Sequence, residues 1–453
     1  MLSEPAPSAP PPVSLAEAFL YWLKLGFISF GGPAGQIAVM HQDLVERRRW
    51  ISERRFLHGL NFCMLLPGPE AIQLAIYIGW LMHRVRGGIM AGVLFFLPSF
   101  LLLVLLSWIY LAYGSLPAIA GLLYGIKPAV VAIVAFAAWR IGSRTLRNYA
   151  LRSIAAAAFV AIFVFDLPFP AIVLAAAILG ALGGRIAPRH FCVGGHGPSA
   201  TTSQAVGAAL IDDDTPTPFH ARFTGRRMTT FAAAGFALWA ISLALLAIAA
   251  GAGTLMDMGW FFTKAALLTF GGAYAVLPYV YQGGVEHFAW LTGSQMMDGL
   301  ALGETTPGPL IMVVTFIGFV GGWTRQILGP DALLAAGLAG AAVATWFTLL
   351  PSFVFILAGG PLVEATIGEL RYTAPLTGIT AAVVGVIANL AVFFAWHVLW
   401  PAGTAAAPFA GRFEWIAALL AVAAFVALFR FKAGIIPVVG AGALAGLVVS
   451  LLV

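Results

Sequence analysis

Lysines, carboxylates and breaks built from glycine and proline are the residues of this sequence that can do chemistry, and they come in pairs. Lys24 and Lys264 each stand six residues ahead of a Phe-Gly-Gly, at Phe30-Gly31-Gly32 and Phe270-Gly271-Gly272. Glu70 directly follows Pro67-Gly68-Pro69, and Glu304 stands three residues before Pro307-Gly308-Pro309. Glycine frees the backbone and proline fits the first turn of a new helix, so each motif interrupts the apolar stretch around it. A helix interrupted at membrane depth leaves amide and carbonyl groups without partners, which is tolerable only where protein or a water-filled cavity receives them. Amides freed at the start of the second half-helix, with the positive end of its dipole, form an anion site without any charged side chain. Four such breaks meeting at one axis would surround a midplane pocket suited to a compact tetrahedral dianion.

The flanking side chains sharpen that chemistry. A lysine within an apolar segment is costly enough to be a functional candidate, the alternative being that it snorkels to a headgroup. Lys127, inside the apolar run 117–139, is a weaker candidate because its counterpart in the repeat described below is Thr380. A carboxylate beside an anion pocket repels substrate when ionised and not when protonated, so Glu70 or Glu304 would couple proton uptake to anion binding. The alternative is an ion pair or a helix cap. Gln36, Asn61, Gln73, Thr305, Thr306 and Asn389 are uncharged hydrogen-bonding groups on or beside these segments and candidates to line the pocket, though such groups also join helix to helix. No catalytic residue, cofactor or metal site is expected: His190, Cys192 and His196 fit no zinc spacing and lack a fourth ligand.

The elements that must position these residues follow from a repeat. At a constant offset of 240, Lys24 pairs with Lys264, Gln42 with Gln282, Glu46 with Glu286, Trp50 with Trp290, and each break with its twin. Further on the offset becomes 253, where Leu97-Pro98-Ser99-Phe100 matches Leu350-Pro351-Ser352-Phe353, so thirteen extra residues are expected around Thr324 to Asp331. A chain of 453 residues that is 61% hydrophobic and 9% charged lacks the polar surface a water-soluble fold needs. Apolar runs near 88–112, 117–139, 228–252, 330–358, 375–397, 413–431 and 434–453, with a shorter pair in 150–184, suit a ~30 Å hydrocarbon core. Their lengths imply helices rather than a barrel. Trp50 and Trp290 are expected as interface anchors.

Charge sets the topology. Eighteen of the 24 Lys and Arg residues precede residue 230. Arg47-Arg48-Arg49 and Arg54-Arg55 lie between the first copy's motifs, whereas His287 to Gln295 in the second copy has no Lys or Arg. By the positive-inside rule the first stretch is cytoplasmic and its twin external, which makes the copies an inverted-topology repeat. Arg84 and Arg86 bring the Pro67-Gly68-Pro69 segment back inside as a re-entrant or broken helix. Arg371, Arg430 and Lys432 agree with this count and Arg412 dissents. The expected organisation is a disordered cytoplasmic tail (1–14), a first repeat (15–184), a flexible cytoplasmic linker (185–227), a connecting transmembrane helix (228–252) and a second, inverted repeat (253–453). The fold class is thus an all-α polytopic membrane protein of two inverted repeats with broken helices. Cys63 in an apolar segment and Cys192 in a polar loop are not expected to form a disulfide.

Phe30-Gly31-Gly32-Pro33, the run Asn61-Phe62-Cys63-Met64-Leu65-Leu66-Pro67-Gly68-Pro69-Glu70 with Tyr77-Ile78-Gly79-Trp80, and Gly303-Glu304-Thr305-Thr306-Pro307-Gly308-Pro309-Leu310 with Phe316-Ile317-Gly318-Phe319 resemble the chromate ion transporter family in its long, two-domain form. The resemblance covers both repeats. It implies export of chromate from the bacterial cytoplasm across the inner membrane, with sulfate as a related oxyanion and an ion gradient, the proton being one candidate, as the driving force. The sequence agrees in having no Walker pattern. At 273 and 274 the second copy has Ala and Tyr where the first has Pro and Ala, so the two Gly-Gly breaks need not be equivalent. An anion channel of the same architecture stays open, as does a homodimer packed through the Gly- and Ala-rich late helices. A membrane enzyme acting on lipid-linked phosphates fits less well, because the carboxylates are few and scattered.

Overall fold

The structure, a computed structural model, describes residues 10–30, 32–114, 116–191, 209–250, 253–270, 272–365, 374–403, 407 and 409–452. The described residues are helical, with one isolated bridge between Ile51 and Ile211. Among the described residues seven helices are long and apolar enough to cross a membrane, and the chain is a polytopic membrane protein. Most of the tail expected over 1–14, together with Cys192, His196 and Arg371, lies outside the described residues.

The two copies build the same series of elements. In the first, α1 (Leu15–Ile28) leads to α2 (Gly32–His41), which runs into a π-helical turn at Gln42–Arg47 and is followed by α3 (Glu53–Leu65) and α4 (Glu70–Tyr113). In the second, α10 (Thr254–Leu268), α11 (Ala273–Tyr281), a π-helical turn at Gln282–His287, α12 (Gly293–Thr305) and α13 (Val313–Thr324) repeat the order before α14 (Leu333–Ala365). Local chemistry starts these helices. Ser14 and Ser52 accept the N–H of Glu17 and Arg55, and Thr292 and Gln295 form a reciprocal capping box.

The helix α4 is a hairpin. His83 and Arg84 leave helical geometry, and beyond them the chain doubles back so closely that a Cβ on Gly79 would lie 2.5 Å from the Gly87 carbonyl oxygen. The second copy makes the same contact with Gly318 against Gly340, but there the turn between α13 and α14 is longer and takes up the thirteen extra residues. After each hairpin comes α5 (Pro117–Thr145) or α15 (Ala374–Leu399). The rest of the chain surrounds this core with α6 (Tyr149–Phe163), α7 (Phe169–Ile186), the short α8 (Pro188–Phe191), α9 (Gly225–Ala250), α16 (Trp415–Phe429) and α17 (Ile435–Leu452). The glycines of α17 are used within the chain: a Cβ on Gly125 of α5 would lie 1.9 Å from the Gly442 carbonyl oxygen.

Two junctions tie the copies' hairpins. At the first, His83 donates to the Val13 carbonyl, Trp50 and Ser52 pair with Ile211, and His220 donates to the Trp80 carbonyl. Residues 209–221, expected as part of a flexible linker, therefore pin the first copy by backbone and side-chain bonds, a role their polar composition did not disclose. At the second, Thr324 and Arg325 donate to the carbonyls of residues 288–290, while Met258 and Trp290 enclose Gly321. Trp50 and Trp290 are buried there, 3% and 2% exposed, rather than placed at an interface. Trp50 packs edge-on to Tyr21 under Arg48, and Trp290 stacks on Phe288. Each tryptophan follows a π-helical turn, Gln42–Arg47 or Gln282–His287, and its burial is not revealed by residue type alone.

Candidate functional site

The interruption after α3 meets the interruption after α10, and the exchange is mutual. Gly68 N–H donates to the Thr269 carbonyl at 2.7 Å, and Gly308 N–H donates to the Ser29 carbonyl at 2.7 Å. Gly68 pairs with Gly308 and Ser29 with Thr269 at the repeat offset, so each copy completes the other through identical atoms. Both glycines need their identity: φ is +126° at Gly68 and +109° at Gly308, a region that L-residues enter at a cost. Gly32 and Gly272 also have positive φ, +70° and +99°. Gly31 and Gly271 lie outside the described residues.

Polar side chains crowd this crossing. Gln36 Nε2 donates to the Gly308 carbonyl at 2.6 Å, and Gln73 Nε2 donates to the Pro67 carbonyl at 2.7 Å. A Cβ on Gly68 would lie 2.5 Å from Ser352 Oγ, and one on Gly308 would lie 2.7 Å from Ser99 Cβ. Ser29, Gln36, Gln73, Ser99 and Ser352 are all buried, and each has a side-chain oxygen with no hydrogen-bond partner among the described residues. A buried polar atom left so costs about 1–3 kcal/mol, so five around one crossing mark a place built to receive polar company. Thr305 and Thr306 turn their hydroxyls back to the carbonyls of Leu302 and Gly303, and Asn61 and Asn389 are half-buried. Pro67, Pro69, Pro307 and Pro309 frame the crossing, with Pro67 half-buried and the others buried.

Charged groups divide into those at the breaks and those elsewhere. Glu70 begins α4 and is 8% exposed, and its carboxylate lies against Gly272. Glu304 accepts a hydrogen bond from Tyr274 of α11. The structure does not bring Lys24 and Lys264 to the crossing: both are exposed, among exposed neighbours such as Leu20, Phe27, Trp260 and Leu267. Lys127 reaches across to α12, 2.6 Å from Ser294 Oγ and 3.7 Å from Asp298, which also accepts from Tyr110. At the corresponding place on α3, Arg55 pairs with Glu364 at 3.3 Å, Tyr77 donates to the same carboxylate, and Thr215 supplies a carbonyl to Arg55.

Sequence reasoning missed Ser29, Ser99, Ser352, Tyr274 and Arg140. The serines carried a usable signal, because Ser99 and Ser352 are twins within the matching Leu-Pro-Ser-Phe motifs. Arg140 belongs in sequence to the basic group Arg140, Arg144, Arg147 and Arg152 that ends the apolar run 117–139, which the positive-inside rule accounts for without a site, yet its guanidinium comes close to Gly32.

The comparisons with known proteins agree with one another. The family described as chromate transporter matches residues 16–181 and 256–447. The chain is 31% identical over 440 residues to the chromate transport protein of Cupriavidus metallidurans, an alignment covering 97% of this chain and 94% of that protein. It is 34% identical over 388 residues to the chromate transport protein of Pseudomonas aeruginosa, covering 84% of this chain and 81% of the relative. With an uncharacterized transporter of Methanocaldococcus jannaschii it shares 24% over 390 residues, covering 85% and 86%. No solved structure matches. With both copies matched and two such relatives spanning most of their length, this chain belongs to the chromate transporter family.

Proposed function

We propose that this chain exports chromate from the cytoplasm as a tetrahedral dianion, by alternating access between two copies of one unit inserted with opposite topology, and that an ion gradient drives it. The observation that carries the reading is the mutual exchange at the breaks, where Gly68 and Gly308 each bond to the other copy amid five buried oxygens without partners among the described residues. Binding at a midplane crossing of broken helices is what alternating access requires, because one site must serve both faces.

Opposite insertion is supported by where the long helices end. The second arm of α4 leaves the first junction and finishes at Tyr110 beside α12 of the second copy. In turn, α14 starts near the second junction and finishes at Glu364 beside α3 of the first. Arginines concentrated at 47–55 and 84–86 support a cytoplasmic side for the first junction and, with it, for the N-terminal end of α1. Chromate as substrate is supported by the names of the relatives.

Inside-out vesicles holding the protein should take up labelled chromate to a saturating level, exchange it for unlabelled chromate, lose uptake to competing sulfate, and slow when the membrane potential is collapsed. Large currents that simply follow the anion gradient would replace a carrier with a channel. Absence of any chromate flux would remove the substrate assignment.

A further inference from the structure

Gly32 and Gly272 are twins at the repeat offset but face opposite charges. A Cβ on Gly32 would meet one atom within 4 Å among the described residues, Nη2 of Arg140, at 4.0 Å. A Cβ on Gly272 would lie 3.9 Å from Glu70 Oε1 and 4.0 Å from Pro33 Cγ. Neither charge is duplicated by the repeat, since Arg140 corresponds to Phe393 and Glu70 to Leu310. The asymmetry therefore belongs to this molecule and does not follow from its construction from two copies.

Both groups are available. Arg140 is half-buried on α5, and no carboxylate lies within ion-pair distance of its guanidinium among the described residues. Its contact is with the Phe136 ring, 6.0 Å from the centroid. Its five N–H donors form a planar fork matched to oxyanions. Ser29 and Gln36, on either side of Gly32 in sequence, are fully buried and each keeps an oxygen without a partner among the described residues. Glu304 and Tyr274, joined to each other, are titratable groups close enough to feel the Arg140 charge. Around Glu70 the titratable neighbour is Cys63 of α3. Lys24 of α1 is exposed, Arg55, Tyr77 and Glu364 are joined to one another, and Asp298 is held by Tyr110 and Lys127. No hydrogen bond or ion pair among the described residues reaches the Glu70 carboxylate.

From this the geometry points to a division of labour: the oxyanion enters beside Gly32 against Arg140, and Glu70 beside Gly272 holds the coupling proton. The inference rests on the transport reading above and adds to it which acid couples and which cation binds. A guanidinium without a partner attracts a dianion and orients it. An enclosed carboxylate without a partner accommodates a proton, and once ionised it repels an anion arriving at the same crossing. Proton and oxyanion therefore favour each other's binding, and the coupling is reciprocal; moved together they carry one net negative charge outward, which the inside-negative membrane potential drives.

The test is calorimetric titration of purified full-length protein with chromate, and with sulfate as a redox-inert probe, at several pH values. Wild type should bind more tightly as pH falls. Arg140→Gln should weaken both anions roughly tenfold or more at every pH, the scale of a lost charge-assisted contact, and Arg140→Lys should recover part of that loss. Glu70→Gln should keep the low-pH affinity and lose the pH slope. Unfolding midpoints identify any variant that has lost its fold, and the Lys variant then carries the Arg140 arm. A wild-type signal left unchanged by Arg140→Gln, or a pH slope that survives Glu70→Gln, overturns the division of labour alone. A wild type that binds neither anion overturns the transport reading and the inference with it.

Discussion

Glycine at 68 and 308 answers two separate demands. Positive φ excludes a comfortable L-residue, and a Cβ would run into Ser352 or Ser99. Alanine at 308 should cost about 1–2 kcal/mol for the backbone and about 1–3 kcal/mol for the contact. Gly440 of α17, where a Cβ would meet nothing within 4 Å, is the matched control. Unfolding midpoints and vesicle uptake should both fall in Gly308→Ala and stay near wild type in Gly440→Ala; equal behaviour would mean that the crossing tolerates a side chain. Much at this scale was readable beforehand, because a proline–glycine motif dictates its own backbone. The outward placement of Lys24 was not. Successive helical residues turn by about 100°, so Leu25, fully buried, and Lys24, exposed, differ by one step of a rotation the sequence does not index. Arg140 escaped notice for the opposite reason: its charge was explained by topology, and nothing local indicated the break it meets.

Among the elements, α3 and α12 are clasped to the far ends of α14 and α4 by different chemistry at equivalent places. Arg55 and Glu364 have side chains 5% and 1% exposed, 3.3 Å apart. Removing one member of such a buried pair leaves a bare charge, which costs about 3–5 kcal/mol. Glu364→Gln should therefore lower the unfolding midpoint markedly, whereas the double change Arg55→Met with Glu364→Leu should restore much of it. A single variant as stable as wild type would show that the pair is solvated when the protein opens. This clasp was illegible in sequence because its partners lie 309 residues apart and neither belongs to a repeated motif. The helix hairpin in α4 was half legible: Arg84 and Arg86 announced the return, but the close backbone approach of Gly79 and Gly87 depends on a turn without proline or glycine, at His83 and Arg84.

For the molecule as a whole, the repeat made the architecture readable from paired residues, while residues 209–221 show where that logic stops, since they have no twin and yet hold the first copy. The exchange between Gly68 and Thr269, and between Gly308 and Ser29, uses main-chain atoms. No side-chain substitution deletes those atoms, and neither half can supply them alone. Each half is thus an incomplete object whose donor and acceptor both find their partners in its sibling. If the gene is divided between codons 191 and 209 and both fragments are produced together, they should find one another, copurify on a single tag and regain chromate uptake. Either fragment made alone should be degraded. Stable solitary fragments that ignore each other would mean that the halves are merely tethered neighbours.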